Sequence, residues 1–139
     1  MAKHKELIDK PYAGKVKIGA PAVTNGGESN KGLSYLKDFL AQCDGCQIDF
    51  VCVHWQSAEP TDAKTFTDHV AKVHEETGKP IWVTEYQAPN GVDQVKFMKE
   101  ATAWMDKQDY VKRYSYFSVD AKLTSGNSLN DLGAAYAGL

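Results

Sequence analysis

The run Pro80-Ile81-Trp82-Val83-Thr84-Glu85-Tyr86 constrains the rest of the chain more than any other stretch. Its apolar part is too short for a buried helix and rich in strand formers, with a proline at one end and a carboxylate at the other. A continuous apolar strand of this kind belongs to a parallel sheet. In parallel α/β sheets, open or closed, ligands and chemistry collect at the C-terminal strand ends. Glu85 occupies such an end, and His54-Trp55 close a second apolar strand in the same manner.

The remaining segments supply the partners that strand needs. Residues 3–10 read as the tail of a helix cut off by Pro11, and 15–23 as a first strand ending in the loop Thr24-Asn25-Gly26-Gly27. Leu33, Leu36, Phe39 and Leu40 recur at helical spacing, predicting a helix over 31–43. Residues 48–55 are the second strand, and Thr61-Asp62 opens a helix that ends at Gly78. After the Glu85 strand, Asn90-Gly91 leads into a helix carrying Val95, Met98, Ala101, Trp104 and Met105. Residues 111–119 form a fourth strand, 123–129 a small hairpin, and Asn130 or Asp131 caps a last helix ending near Tyr136.

Alternating strands and helices predict an α/β domain over residues 1–139. The expected form is a three-layer αβα arrangement with a mainly parallel sheet of four strands plus a small hairpin. Four strands cannot close an eight-stranded barrel, so the unit is equivalent to half of a (β/α)8 barrel.

The 139 residues, 42% hydrophobic and 24% charged, suit one globular core. A net charge of -2 with mixed signs gives no basic patch and argues against nucleic acid as the partner. No apolar run approaches the roughly 20 residues of a membrane span. The first residues are basic without an apolar stretch behind them, so no signal peptide is expected. No cofactor motif is present.

Four ordered motifs, Gly19-Ala-Pro-Ala-Val-Thr-Asn25, Asp49-Phe-Val-Cys-Val-His-Trp55, Pro80-Ile-Trp-Val-Thr-Glu-Tyr86 and Tyr114-Ser-Tyr-Phe117, carry a family resemblance. Together they resemble the C-terminal half of the fungal glycoside hydrolase family 128 catalytic domain, a (β/α)8 barrel family of mainly β-1,3-glucanases. The segment Cys43-Asp-Gly-Cys46 and the tail Leu129 to Tyr136 fit it too. The resemblance implies that Glu85 lies at the position of the catalytic nucleophile and that His54 and Trp55 line the sugar cleft. It also implies a secreted or cell-wall setting. The Asn-Glu-Pro motif that carries the acid/base in that family does not occur here. Retaining hydrolysis needs two carboxyl groups about 5 Å apart, and Asp120, ending the next strand, is the weak stand-in.

Two functional readings follow. The first is a lectin-like carbohydrate-binding protein in which Glu85, His54, Asn25 and Gln56 bond sugar hydroxyls and Trp55, Tyr86 and Tyr116 offer ring faces or phenols. The alternative is a β-1,3-glucan hydrolase, fragment or split barrel, with Glu85 as nucleophile. Either way the partner is a glycan. Parity places Glu85 on the face of Ile81 and Val83, and Trp82, in mid-strand, reads as core. Cys43 and Cys46 are a disulfide, metal or redox pair; with no second ligand pair and no thioredoxin-like context, a local disulfide is preferred and no metal site is expected. Exposed edges of an open sheet predict a homodimer.

Overall fold

The computed structural model describes residues 2–139, the side chain of Ala121 excepted. The chain opens with a helical segment made of α1 (Ala2–His4), a π-helical stretch (Lys5–Asp9) and α2 (Lys10–Tyr12). It runs on through Pro11, beyond the sequence-based end, and the stretch before that proline is π-helical, with Lys10 N donating to the Lys5 carbonyl.

The sheet contains β1 (Val51–Trp55), β2 (Ile81–Tyr86) and β3 (Val111–Tyr116), all parallel and ordered as in the chain. The expected strand over 15–23 is reduced to two isolated parallel bridges on the β1 side, Gly19 to Phe50 and Val23 to Val53. Between them lies Pro21, which has no N–H to give to a ladder. Backbone bonds still hold the segment in place: Ala20 N donates to the Phe50 carbonyl at 2.9 Å and His54 N to the Val23 carbonyl at 2.8 Å.

Helices α3 (Gly32–Gln42), α4 (Ala63–Thr77) and α5 (Gln94–Met105) make the crossovers. Strands laid side by side in chain order, joined by right-handed crossovers, place all three helices on one face. Burial follows that geometry. Val51, Val53, Ile81 and Val83 are fully buried under the helices, whereas Cys52, His54, Trp82 and Thr84 are half-buried on the other face. Under the helices, Phe66 of α4 stacks on Tyr86 with centroids 5.3 Å apart and meets Trp55 edge-on at 5.8 Å.

The α/β class, the parallel sheet and the hairpin agree with the sequence. The layering is that of the half barrel: one helical layer, and an inner wall left open. On that wall Phe50 stacks on Trp82 at 4.0 Å, and the Arg113 guanidinium lies 5.5 Å from the Trp82 ring centre. Trp82 is therefore not in the core, as mid-strand position had suggested.

Side-chain caps fix the helix starts. Asp62 accepts from Thr65 N, Asp93 from Lys96 N and Asn130 from Gly133 N, each at 2.9 Å. After β3 come a π-helical turn (Val119–Leu123), the hairpin β4 (Thr124–Ser125) and β5 (Ser128–Leu129), and α6 (Asp131–Tyr136). Cys43 and Cys46 are disulfide-bonded at the end of α3. Cys52 is a free thiol whose pKa is raised by burial. No helix among the described residues is long and apolar enough to cross a membrane.

Candidate functional site

The C-terminal ends of β1 and β2 meet at one register irregularity. Val53 pairs with Val83, but the next β1 residue, His54, pairs with Glu85, and Trp55 with Tyr86. Thr84 is thus an extra residue in β2, a bulge of the kind that redirects a side chain. Counting by twos from Ile81 would aim Glu85 into the helix layer. The extra residue instead turns it to the open face beside His54, and gives the buried position to Tyr86. His54 Nδ1 and Glu85 Oε2 lie 3.7 Å apart, longer than a hydrogen bond and within ion-pair range when the imidazole is protonated. Their side chains are 27% and 36% exposed, open enough for a ligand to reach both.

Beside this pair the loop after the first strand folds back. Thr24 Oγ1 accepts from Gly26 N at 3.2 Å, and Asn25 Oδ1 accepts from Gln56 N at 3.1 Å. The second bond ties the loop after 15–23 to the loop after β1. Gly32, at φ +52°, begins α3 against this loop, with the Gly26 carbonyl where any Cβ would stand. The result is a cleft of about 320 Å³ that brings Asn25, His54 and Gln56 together with Thr24, Glu28 and Lys31. Glu28 and Lys31 were not singled out by sequence reading, although their place just after a strand's C-terminal end was the available signal. They form an ion pair at 3.0 Å. A backbone hydrogen bond, then Lys31, hold the Glu28 pKa below the ordinary carboxylate value, so Glu28 is ionised.

The aromatic assignments need correcting. Trp55 is buried, packed against Phe66 and tilted against His69, and its ring cannot present a face to a sugar here. Tyr86 is fully buried, with its hydroxyl donating to Met98 Sδ at 3.2 Å and its pKa driven upward by burial. Tyr116 is buried as well, and its hydroxyl accepts from Ala88 N at 3.2 Å. All three rings are buried on the helix-facing side: Trp55 by alternation with Val51 and Val53, and Tyr86 through the bulge. Asp120 lies in the π-helical turn after β3, and its carboxylate makes no hydrogen bond or ion pair among the described residues. No cluster of three metal-ligating side chains forms in the cleft among the described residues; one that includes His4 forms at the opposite ends of the strands.

A half-exposed carboxylate beside an imidazole, next to amide side chains, is equipped to bond hydroxyl groups and to act as a nucleophile. The family model described as Glycosyl hydrolase catalytic core matches residues 1–136. A curdlan-specific exo-β-1,3-glucanase of GH128 subgroup III from Blastomyces gilchristii, solved with glucose, is 35% identical with a TM-score of 0.85. The alignment covers 99% of this chain and 60% of that one. A GH128 subgroup I endo-β-1,3-glucanase from Amycolatopsis mediterranei, solved with laminaritriose, is 26% identical at TM-score 0.78, covering 99% and 64%. Alkali-sensitive linkage protein 1 of Schizosaccharomyces pombe is 30% identical in an alignment 122 residues long that covers 82% of this chain and 21% of that protein. The chain thus spans under two thirds of the solved relatives and about a fifth of the curated one.

Proposed function

From a chain that belongs to the glycosyl hydrolase catalytic core family, we infer a β-1,3-glucan-binding function, with Glu85 in the place of a glycosidase nucleophile. The observation that carries this is the bulge that sets Glu85 at the open C-terminal strand ends, 3.7 Å from His54. In this reading Glu85 accepts from sugar hydroxyls or attacks the anomeric carbon, His54 donates to the substrate or to Glu85, and Asn25 and Gln56 shape the neighbouring subsite. The two solved relatives named above, one with glucose and one with laminaritriose bound, support the choice of sugar.

Hydrolysis with retention requires a protonated carboxyl about 5 Å from the nucleophile. Glu28, the carboxylate that lines the cleft beside this pair, has its pKa held below the ordinary value by a backbone hydrogen bond and by Lys31, the opposite of what a general acid needs. The acid/base is to be sought on the part of the barrel that the solved relatives have and this chain does not span, with Asp120 as the weaker choice. Where no such group is supplied, the same cleft works as a lectin-like binding site. A homodimer joined through the open sheet is part of this proposal.

Laminaritriose titrated into wild type and Glu85→Gln by calorimetry tests the reading, with reducing ends counted on β-1,3-glucan in parallel. A charge-assisted hydrogen bond contributes about 1.5–3 kcal/mol, so affinity is expected to fall about tenfold or more in the variant. Reducing ends that vanish in the variant establish the nucleophile role; binding without them establishes the lectin-like role. No binding by either protein rejects the proposal.

A further inference from the structure

The N-terminal helical segment contributes nothing to the cleft, yet it is fastened to the turn after α3. Lys5 Nζ donates to the Asp44 carbonyl at 2.6 Å, and Gln47 N donates to Asp9 Oδ2 at 3.4 Å. These contacts lay His4 edge-on against Phe39 at 5.8 Å and bring its imidazole to the Cys43–Cys46 pair. One ring nitrogen of His4 and the two Sγ atoms all lie within 4.8 Å of one another. Asp9 lies outside that three-residue spacing, with its Oδ1 3.3 Å from His4 Nε2. Both atoms are buried and neither makes a hydrogen bond, and they pair as ions only when the imidazole is protonated. An unsatisfied buried polar atom in a native fold calls for a missing partner.

Two sulfurs, an imidazole and a carboxylate make a tetrahedral donor set for zinc. With zinc–ligand distances of roughly 2.0–2.1 Å for nitrogen and oxygen, the N···O edge of such a tetrahedron is about 3.3 Å. That is the spacing His4 and Asp9 already have. We propose that reduction of the Cys43–Cys46 disulfide turns this corner into a zinc site held by His4, Asp9, Cys43 and Cys46. A thiol reductant of the glutathione or dithiol class supplies two electrons and two protons, cleaves the S–S bond and is itself oxidised to a disulfide. Zinc then displaces the two thiol protons, since only thiolates ligate it. Disulfide and metal are alternative staples for one corner: the first joins Cys43 to Cys46 alone, the second also ties the N-terminal segment to the end of α3. Spacing along the chain gave no sign of this, because the third and fourth ligands come from a distant segment.

Zinc is titrated into oxidised protein and into phosphine-reduced protein without oxygen, against a chromophoric chelator, and the titration is repeated with cobalt(II). The expected result is one zinc per reduced chain and none per oxidised chain. Cobalt should add a thiolate charge-transfer band and the intense visible bands of a tetrahedral site. His4→Ala should weaken zinc binding by about tenfold or more, Cys43→Ser should abolish it, and Cys52→Ser should leave it unchanged. Equal zinc uptake by oxidised and reduced protein, or unchanged affinity in His4→Ala, overturns the proposal. If the reduced apoprotein loses its far-ultraviolet circular dichroism, zinc must restore it in wild type and not in His4→Ala; failure to restore it also overturns the proposal.

Discussion

Gly133→Ala sets two effects of opposite sign against each other. The glycine lies in the first turn of α6, and replacing a helical glycine by alanine ordinarily gains about 1 kcal/mol. Here an added Cβ would meet the Leu123 carbonyl oxygen at a separation more than an ångström inside ordinary contact, and Leu129 Cδ2 at 3.0 Å. The helix cannot slide away cheaply. Asn130 N donates to the same Leu123 carbonyl at 3.1 Å, Asn130 Nδ2 to the Lys122 carbonyl at 2.8 Å, and Gly133 N to Asn130 Oδ1 at 2.9 Å. Overpacking against backbone belongs at the upper end of the usual range, about 3 kcal/mol. Less the propensity gain, the net cost is about 2 kcal/mol. With about 2.1 cal/mol/K of unfolding entropy per residue, a chain of 139 residues should lose about 7 °C in Tm. Calorimetric melting of wild type, Gly133→Ala and Ala134→Gly would read this. The last variant removes a half-buried methyl group without adding a clash and should lose about 1 kcal/mol, chiefly of helix propensity. A Gly133→Ala protein as stable as wild type, or more so, would refute the claim that α6 is pinned to the preceding turn.

Two further perturbations address the core and the pH response. Phe66→Ala empties a fully buried site shared with Tyr86, Trp55 and Phe97 and should cost about 3–5 kcal/mol by urea unfolding; a loss below 1.5 kcal/mol would mean the helix layer collapses onto the gap. Tyr114 donates to Asp106 Oδ1 at 2.8 Å, and burial together with that bond pushes its pKa up to about 12. A folded pKa above the unfolded value of about 10 means stability is intact below pH 10 and falls from there towards pH 12, so Tyr114→Phe should flatten the decline of urea midpoint between pH 10 and 12.

Much of the scaffold could be read from the sequence because it rests on local physics. Apolar runs of strand length, helical spacing in α3 to α5, and caps such as Asp62 and Asn130 act over a few residues. The start of α5 was placed early because Asn90-Gly91 is a strong turn signal, while the bond that caps the helix is made by Asp93. The site was harder for a definite reason. Alternation along β2 puts Glu85 with Ile81 and Val83, and one bulged residue reverses that assignment while leaving the composition of the strand untouched. The same parity fixed the aromatic errors. Trp55 shares its face with Val51 and Val53 and goes under α4, whereas Trp82 faces the open wall. Nothing in the residue types distinguishes the two tryptophans; only the side on which the helices lie does, and crossover handedness sets that.

Strand order that copies chain order also bears on how the protein emerges from a ribosome. Each ladder joins a strand to the one made about thirty residues later, β1 to β2 and then β2 to β3. No pairing waits for a distant terminus, so the sheet can be laid down one strand-and-helix unit at a time, in the direction of synthesis. The strand bearing Glu85 is central, and gains its second neighbour only when β3 has been translated. A nascent chain stalled before residue 111 would hold Glu85 on a bare edge, open to pairing with a neighbouring polypeptide.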